Sequence, residues 1–335
     1  MREARTAVVS VFVALACVAA GSASPGPHHY EASRLSMACV YAIEVYGPDS
    51  QALPSMTDAA FDEVDRIDRL MSHYKPDSPL SLINREAARH PVPVARELFD
   101  FISESLRYTR KTAGAFDVTV GPLMKAWGFF RGEGHMPAPG DLSEARRHVG
   151  AGHVTLDADT TSVAFDQSGV ELDLGGIAKG YAVDRAAAVL KSRGVTAALI
   201  SAGGSTIYAI GAPPGRLGWD VSIQDPDDSR KMARTISLKN RALSIAGSSE
   251  KAFTANGVRY AHIMDPRTGR PVQGILSVAV LARNGTVGDA LDDGLFVLGP
   301  EQSRRYLKQW PGTEVFFFLP AQRGGWKLVH EHADR

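Results

Sequence analysis

The sequence predicts an α+β fold. Helical and strand-like segments are mixed along the chain without a regular βαβ repeat, which argues against a doubly wound parallel sheet. The 335 residues are 44% hydrophobic and 22% charged, the balance of a folded globular protein rather than a disordered chain, a collagen or a coiled-coil rod. With 32 Gly and 19 Pro, the chain reads as turn-rich. Lys+Arg and Asp+Glu are both 37, and a zero net charge argues against a nucleic-acid binder.

Arg2 and Arg5 precede a 14-residue apolar run, Ala7 to Ala20, which small residues follow. The run is too short to span a bilayer. Its layout predicts a secretory signal peptide over 1–23, with cleavage after Ala20 or Ala23, and hence an exported, periplasmic protein. Cys17 raises a second reading, in which that Cys becomes a lipidated N-terminus anchored to the inner membrane. Loss of the leader leaves Cys39 as the lone thiol, which reads as a small buried hydrophobe. Residues 24–36, polar and Pro/Gly-rich, read as a tether.

Met37 to Tyr46 reads as a strand. Thr57 to Ser72 has apolar residues at helical spacing (Phe61, Val64, Ile67, Leu70, Met71), with Thr57 or Asp58 as N-cap and Pro76 to Pro79 as breaker. Arg96 to Thr112 is a helix by the same test, and Arg131 to Gly140 a Gly/Pro-rich loop. Val154 to Val170 holds two strands around a polar turn. Lys179 to Arg193 is a helix ended by Gly194, and Ala197 to Ile210 a strand, a Gly-Gly turn and a second strand. Short strands alternate with turns from Trp219 to Val280. Gly288 to Leu298 reads as a helix and Val315 to Leu319 as a closing strand.

Three segments carry chemistry. In Asp173-Leu-Gly-Gly-Ile-Ala-Lys-Gly-Tyr-Ala-Val-Asp184 a Gly-Gly turn leads from an apolar strand into a helix. Free N–H groups at a helix N-terminus, with Lys179 in the first turn, suit an anion; the alternative is an ordinary strand-to-helix turn. Neither the Walker loop nor the dinucleotide fingerprint fits the spacing. His262-Ile-Met-Asp265-Pro-Arg-Thr-Gly269 is turn chemistry, with His262 just before it, either a proton acceptor or a His packed beside a turn. Asp289, Asp292 and Asp293 stand three and four residues apart, on one helical face. Such a cluster suits Mg²⁺ or Ca²⁺, or is a solvated acidic face. Together the segments suggest a phosphate-bearing ligand, a divalent metal and a general base.

The chain resembles the FAD:protein FMN transferases, the ApbE family, from about Met37 to Gly299. The likeness rests on Met71-Ser-His-Tyr-Lys-Pro-Asp-Ser-Pro-Leu-Ser-Leu-Ile-Asn84, on Ala115-Phe-Asp-Val-Thr-Val-Gly-Pro-Leu123 with Trp127-Gly-Phe129, and on Asp173 to Asp184, His262 to Gly269 and Gly288 to Gly299. It implies one domain over 37–335, an α+β fold with a flavin-binding cleft between two lobes, and an exported enzyme. That enzyme would cleave FAD at its pyrophosphate and join FMN to a Thr or Ser hydroxyl of a target flavoprotein, releasing AMP. By the resemblance, Met37, Tyr74, Ala115, Phe116, Asp117, Asp173, Lys179 and Ile263 would hold FAD. Gly176, through its carbonyl, would hold Mg²⁺ with Asp289, Asp292 and Asp293, and His262 would be the base.

The chain departs from the family pattern at four places. Asp293 stands where Thr is usual, and Met37-Ala-Cys39 replaces Met-Gly-Thr. Ile245-Ala-Gly-Ser248 replaces Thr-Ser-Gly-Asp, and Gly203-Gly-Ser205 replaces Gly-Gly-Asp. Two other readings follow: a Mg²⁺-dependent FAD pyrophosphatase yielding FMN and AMP, and a non-catalytic flavin-binding protein.

Overall fold

The computed structural model describes residues 26–132, 134–248 and 251–333. The expected signal peptide and Cys17 lie outside them. At the centre is an eight-stranded sheet: β1 (His28–Ser36), β2 (Cys39–Gly47), β3 (Ala197–Ala202), β4 (Thr206–Ile210), β5 (Ala242–Gly247), β6 (Ser277–Ala282), β7 (Glu314–Pro320) and β8 (Trp326–His332). The strands lie side by side in chain order, every pair antiparallel. Seven helices are inserted into this meander: α1 (Ala52–Met71), α2 (Pro79–Glu86), α3 (Arg96–Lys111), α4 (Gly121–Ala126), α5 (Pro139–Arg147), α6 (Ala178–Ser192) and α7 (Gly285–Leu307). Among the described residues, no helix is long and apolar enough to cross a membrane.

Successive strand residues point to opposite faces, and both faces of this sheet are covered. Ile43, Ile200, Val280 and Phe317 join Val64, Ala182, Leu291 and Leu295 of α1, α6 and α7 in the main core. Leu243, Leu281, Phe316 and Phe318 point the other way, onto the hairpin of strands Trp219–Gln224 and Met232–Leu238. A satellite core of Leu123, Trp127, Phe129, Ala145 and Met264 forms around α4 and α5.

Several boundaries differ from those expected. The segment read as a tether is strand β1 from His28 onward. Tyr30, Ala32 and Arg34 alternate half-buried with exposed neighbours, a pattern too weakly apolar to stand out at a sheet edge. Arg34 also pairs with Asp62 at 2.7 Å and Asp65 at 3.1 Å on α1. α1 begins at Ala52 because Pro54 falls in its first turn, where a missing N–H costs nothing. Pro79, expected as a breaker, opens α2 behind Ser78, whose Oγ accepts from the Ser81 N–H at 3.0 Å. The end of the expected loop at 131–140 is the start of α5. α7 runs well past Leu298, through a break at Gly299 and Pro300.

The β1–β2 turn holds Met37 and Ala38 at φ 48° and 59°. Two positive φ angles define the hairpin turn that matches strand twist, and they favour glycine. Ala38→Gly is expected to stabilise the fold by about 1 kcal/mol, read as a thermal shift of roughly 2 °C.

Candidate active site

The site is built where α6 crosses α7. A Cβ on Gly180 would fall 2.2 Å from the Gly285 carbonyl oxygen, so only two glycines allow this approach. Asp184 of α6 accepts from the Gly285 N–H at 2.7 Å, the Thr286 N–H at 2.8 Å and the Thr286 hydroxyl at 2.6 Å. It thereby caps the first turn of α7, which Asn284 also caps through the Val287 N–H at 3.0 Å. One turn on, Asp289 reaches back to α6, accepting from the Gly180 N–H at 2.9 Å and from the Thr206 hydroxyl on β4 at 2.9 Å.

Asp292 accepts from the Ser244 hydroxyl on β5 at 2.7 Å, and that hydroxyl also lies 3.4 Å from Asp289. Asp293 turns towards the Gly-Gly loop, where a Cβ on Gly176 would fall 2.6 Å from its Oδ2. Burial, then repulsion from Asp293 and Asp289, pushes the Asp292 carboxyl well above the ordinary range. The helical spacing thus gathers three carboxylates, as expected, but separate donors spread their oxygens. Among the described residues the only His, Cys, Asp or Glu triple within 4.8 Å is elsewhere. Mutually repelling hard oxygen donors beside the bare backbone of Gly176 fit a divalent cation of the Mg²⁺ class.

The α6 N-terminus offers fewer free N–H groups than its sequence suggests. The Ala178 N–H goes to the Leu174 carbonyl at 2.8 Å, and the Gly180 N–H to Asp289. Lys179 is the residue that brings positive charge to this end of α6. Its Nζ donates to the Ser205 hydroxyl at 2.7 Å, and its charge acts on both Asp292 and His262.

His262 follows the strand Val258–Ala261, and its N–H donates to the Lys251 carbonyl at 2.9 Å. The expected turn is present, closed by the Gly269 N–H on the Asp265 carbonyl at 2.8 Å and clamped by the Trp127 indole N–H on the Gly269 carbonyl at 2.8 Å. Burial, then Lys251 and Lys179, pushes the His262 imidazole down to about 4. Its Nδ1 is buried without a hydrogen-bond partner. A neutral ring with an unused nitrogen can accept a proton.

Asp173 lies beyond the Gly-Gly turn. Asn84 holds the chain before it by a two-way pair with the Leu172 backbone, at 2.9 and 2.8 Å. Burial raises the Asp173 carboxyl, but the His73 contact at 3.1 Å and the Gly175 N–H at 2.8 Å outweigh it and hold the group below the ordinary range. Beside it, the half-exposed Tyr74 ring stands 3.9 Å from His73 and 5.0 Å from Phe130. These aromatics and Asp173 line a 260 Å³ cavity with Asn84 and Lys125. It opens between Tyr74, which follows α1 of the main core, and Phe130, which follows Phe129 of the satellite core.

Of the other expected flavin contacts, Ala115, Phe116 and Ile263 are buried. Asp117 is buried too, but it faces inward, accepting from the Thr119 N–H at 2.9 Å and hydroxyl at 2.7 Å. Met37 sits in the hairpin turn and accepts from the Tyr41 hydroxyl at 3.1 Å. The 260 Å³ cavity is not lined by Lys179, His262 or Asp289. A larger cavity of 360 Å³, lined by Arg107, Arg110, Lys111 and Arg305 with Tyr306 and Gln309, contains none of the expected residues. Thr206, Ser244 and His73 were not singled out from sequence. Thr206 and Ser244 are short polar residues on apolar strands, and only the sheet brings them to α7.

The sequence model of the ApbE family matches residues 37–317. The FAD:protein FMN transferase of Treponema pallidum is 32% identical to this chain, over 92% of it and 91% of that protein. The enzyme of the same description from Salmonella typhimurium is 31% identical over 90% and 87%. Among solved structures, the ApbE protein of Thermotoga maritima superposes with a TM-score of 0.80 at 30% identity, over 91% of this chain and 97% of that one. The flavin transferase ApbE from Vibrio cholerae gives 0.78 at 28%, over the same shares. With one fold and most of the length in common, the chain belongs to the ApbE family.

Proposed function

We propose that this protein is an exported, Mg²⁺-dependent FAD:protein FMN transferase. The observation that carries the reading is the set of α7 carboxylates at its crossing with α6, together with Lys179, whose charge acts on both Asp292 and the neutral His262. In the reaction, a Thr or Ser hydroxyl of a target flavoprotein attacks the phosphorus of the FMN half of FAD. The bond to the bridging oxygen breaks and AMP departs with its electron pair. His262 takes the proton from the attacking hydroxyl. Lys179 offsets charge on the phosphates, and Tyr74 with Phe130 offers aromatic surface to a planar ring. Asp289, Asp292 and Asp293, with Gly176, would hold Mg²⁺, which supplies charge neutralisation at the pyrophosphate. The leader-like segment supports a periplasmic location; Cys17 becomes a lipid-anchor position only in the alternative reading in which the leader is cut just before it.

Incubation of the protein with FAD, Mg²⁺ and a Thr-containing acceptor peptide tests the reading. AMP with flavinylated peptide supports it. AMP with free FMN would make the protein an FAD pyrophosphatase, and bound FAD without AMP would make it a flavin binder.

The metal assignment has its own check. Asp293→Thr removes one carboxylate that repels Asp292. Without metal the variant is expected to be more stable than the parent by on the order of 1 kcal/mol, less than one pKa unit of relief. Its melting temperature should then rise less on adding Mg²⁺. Equal Mg²⁺-induced shifts in both proteins would show that Asp293 is not a ligand.

A further inference from the structure

The open end of the β1–β2 hairpin carries side chains that the flavin chemistry does not use. β1 and β2 pair with His29 opposite Tyr46 and Glu31 opposite Glu44. Residues two apart on a strand share a face, so these four side chains stand together, on the face where Tyr46 packs beside the second core. The His29 Nε2 lies 3.1 Å from the Glu44 Oε1 and 3.2 Å from the Glu31 Oε1. One imidazole nitrogen carries at most one proton, so it cannot donate fully to both carboxylates. These three ligand atoms all lie within 4.8 Å of one another, and no other group of three His, Cys, Asp or Glu ligand atoms does so among the described residues.

The two His29 contacts, at 3.2 and 3.1 Å, are close to the spacing of ligand atoms around one ion. Ligand atoms about 2.0–2.2 Å from a tetrahedral ion stand roughly 3.3 Å apart. The imidazole directs the choice of ion, because Mg²⁺ and Ca²⁺ take oxygen ligands whereas zinc-class ions accept a mixed nitrogen and oxygen set. Tyr46 supplies the outer support that such sites use. Its ring packs on the His29 imidazole at 4.7 Å, and its hydroxyl donates to the Glu44 Oε1 at 3.3 Å. Two carboxylates facing each other across the strands, Glu44 and Glu31, repel until a cation joins them. We propose that His29, Glu31 and Glu44 form a site for a divalent transition ion of the zinc class, completed by water, which clasps edge strand β1 to β2. Eight residues at strand rise put it roughly 25 Å from the Met37 turn, and its three ligands lie on β1 and β2, none of them on α7.

Tag-free protein held in excess Mg²⁺ is titrated with Co²⁺, whose visible absorption reports imidazole and carboxylate coordination, and is then challenged with Zn²⁺. The parent is expected to show saturable Co²⁺ bands that Zn²⁺ abolishes, and a melting temperature that Zn²⁺ raises. His29→Ala and Glu31→Gln should each weaken Co²⁺ binding about tenfold or more, whereas His28→Ala, altered on the opposite face, should bind as the parent does. The variants change exposed edge positions, and unchanged metal-free melting verifies that they fold. Bands of equal strength in parent and His29→Ala would overturn the proposal, as would bands that vanish in Asp289→Asn but persist in His29→Ala.

Discussion

Replacing His262 by alanine is expected to lower flavin transfer by about 10²–10⁴-fold, the usual contribution of a general base, while FAD still binds. The ring is buried and held neutral beside Lys251 and Lys179, with its pKa pushed down to about 4. The acid limb of kcat/KM, which reports the free enzyme, should therefore lie well below the ordinary histidine value of about 6.5. Between about 6.5 and 4 the unfolded chain takes up a proton that the native ring refuses, so the histidine's contribution is complete above that window and is lost as pH falls through it. His262→Ala should remove this part of the acid sensitivity. A variant that transfers FMN at the parent rate would end the assignment.

Gly180→Ala is expected to have the largest effect on stability. In an ordinary helix interior alanine would be favoured by about 1 kcal/mol. Here the added Cβ would fall 2.2 Å from the Gly285 carbonyl oxygen and 2.8 Å from the Asp289 Cβ. The first neighbour is backbone and cannot swing aside, so α6 and α7 must separate. Overpacking of this kind costs about 3 kcal/mol or more, which outweighs the propensity gain and lowers the melting temperature by roughly 6 °C or more. Separation would also draw Asp289 away from the Gly180 N–H, so Mg²⁺ binding should weaken and more Mg²⁺ be needed in whatever fraction folds. Melting unchanged from the parent would show that the crossing is not the tight point of the fold.

Local chemistry was legible in the sequence. The helical spacing of Phe61, Val64 and Ile67, the Asp265–Gly269 turn and the clustering of Asp289, Asp292 and Asp293 all depend on near neighbours. The missing parts depend on distant ones. β1 is polar because it is an edge strand pinned by Arg34 to the acidic face of α1. Nothing in its own composition states that. Thr206 and Ser244 hold Asp289 and Asp292 across 83 and 48 residues of chain, and the meander that brings them there is assembled from strands far apart in sequence. Asp184 was visible as the end of a motif, but its work, capping α7 from α6, appears only when the two helices cross. The carboxylate of Asp117 accepts from the Thr119 N–H and hydroxyl, a local turn contact between residues two apart.

The activity proposed for this site is the transfer of FMN from FAD onto a protein hydroxyl. The direct measurement is intact mass spectrometry of an acceptor protein after incubation with enzyme, FAD and Mg²⁺, with AMP quantified in the same sample. The structure leads to an acceptor heavier by one FMN unit at a Thr or Ser, equimolar with the AMP released and absent with His262→Ala. AMP released with unmodified acceptor and free FMN would contradict transfer and leave a hydrolase in its place.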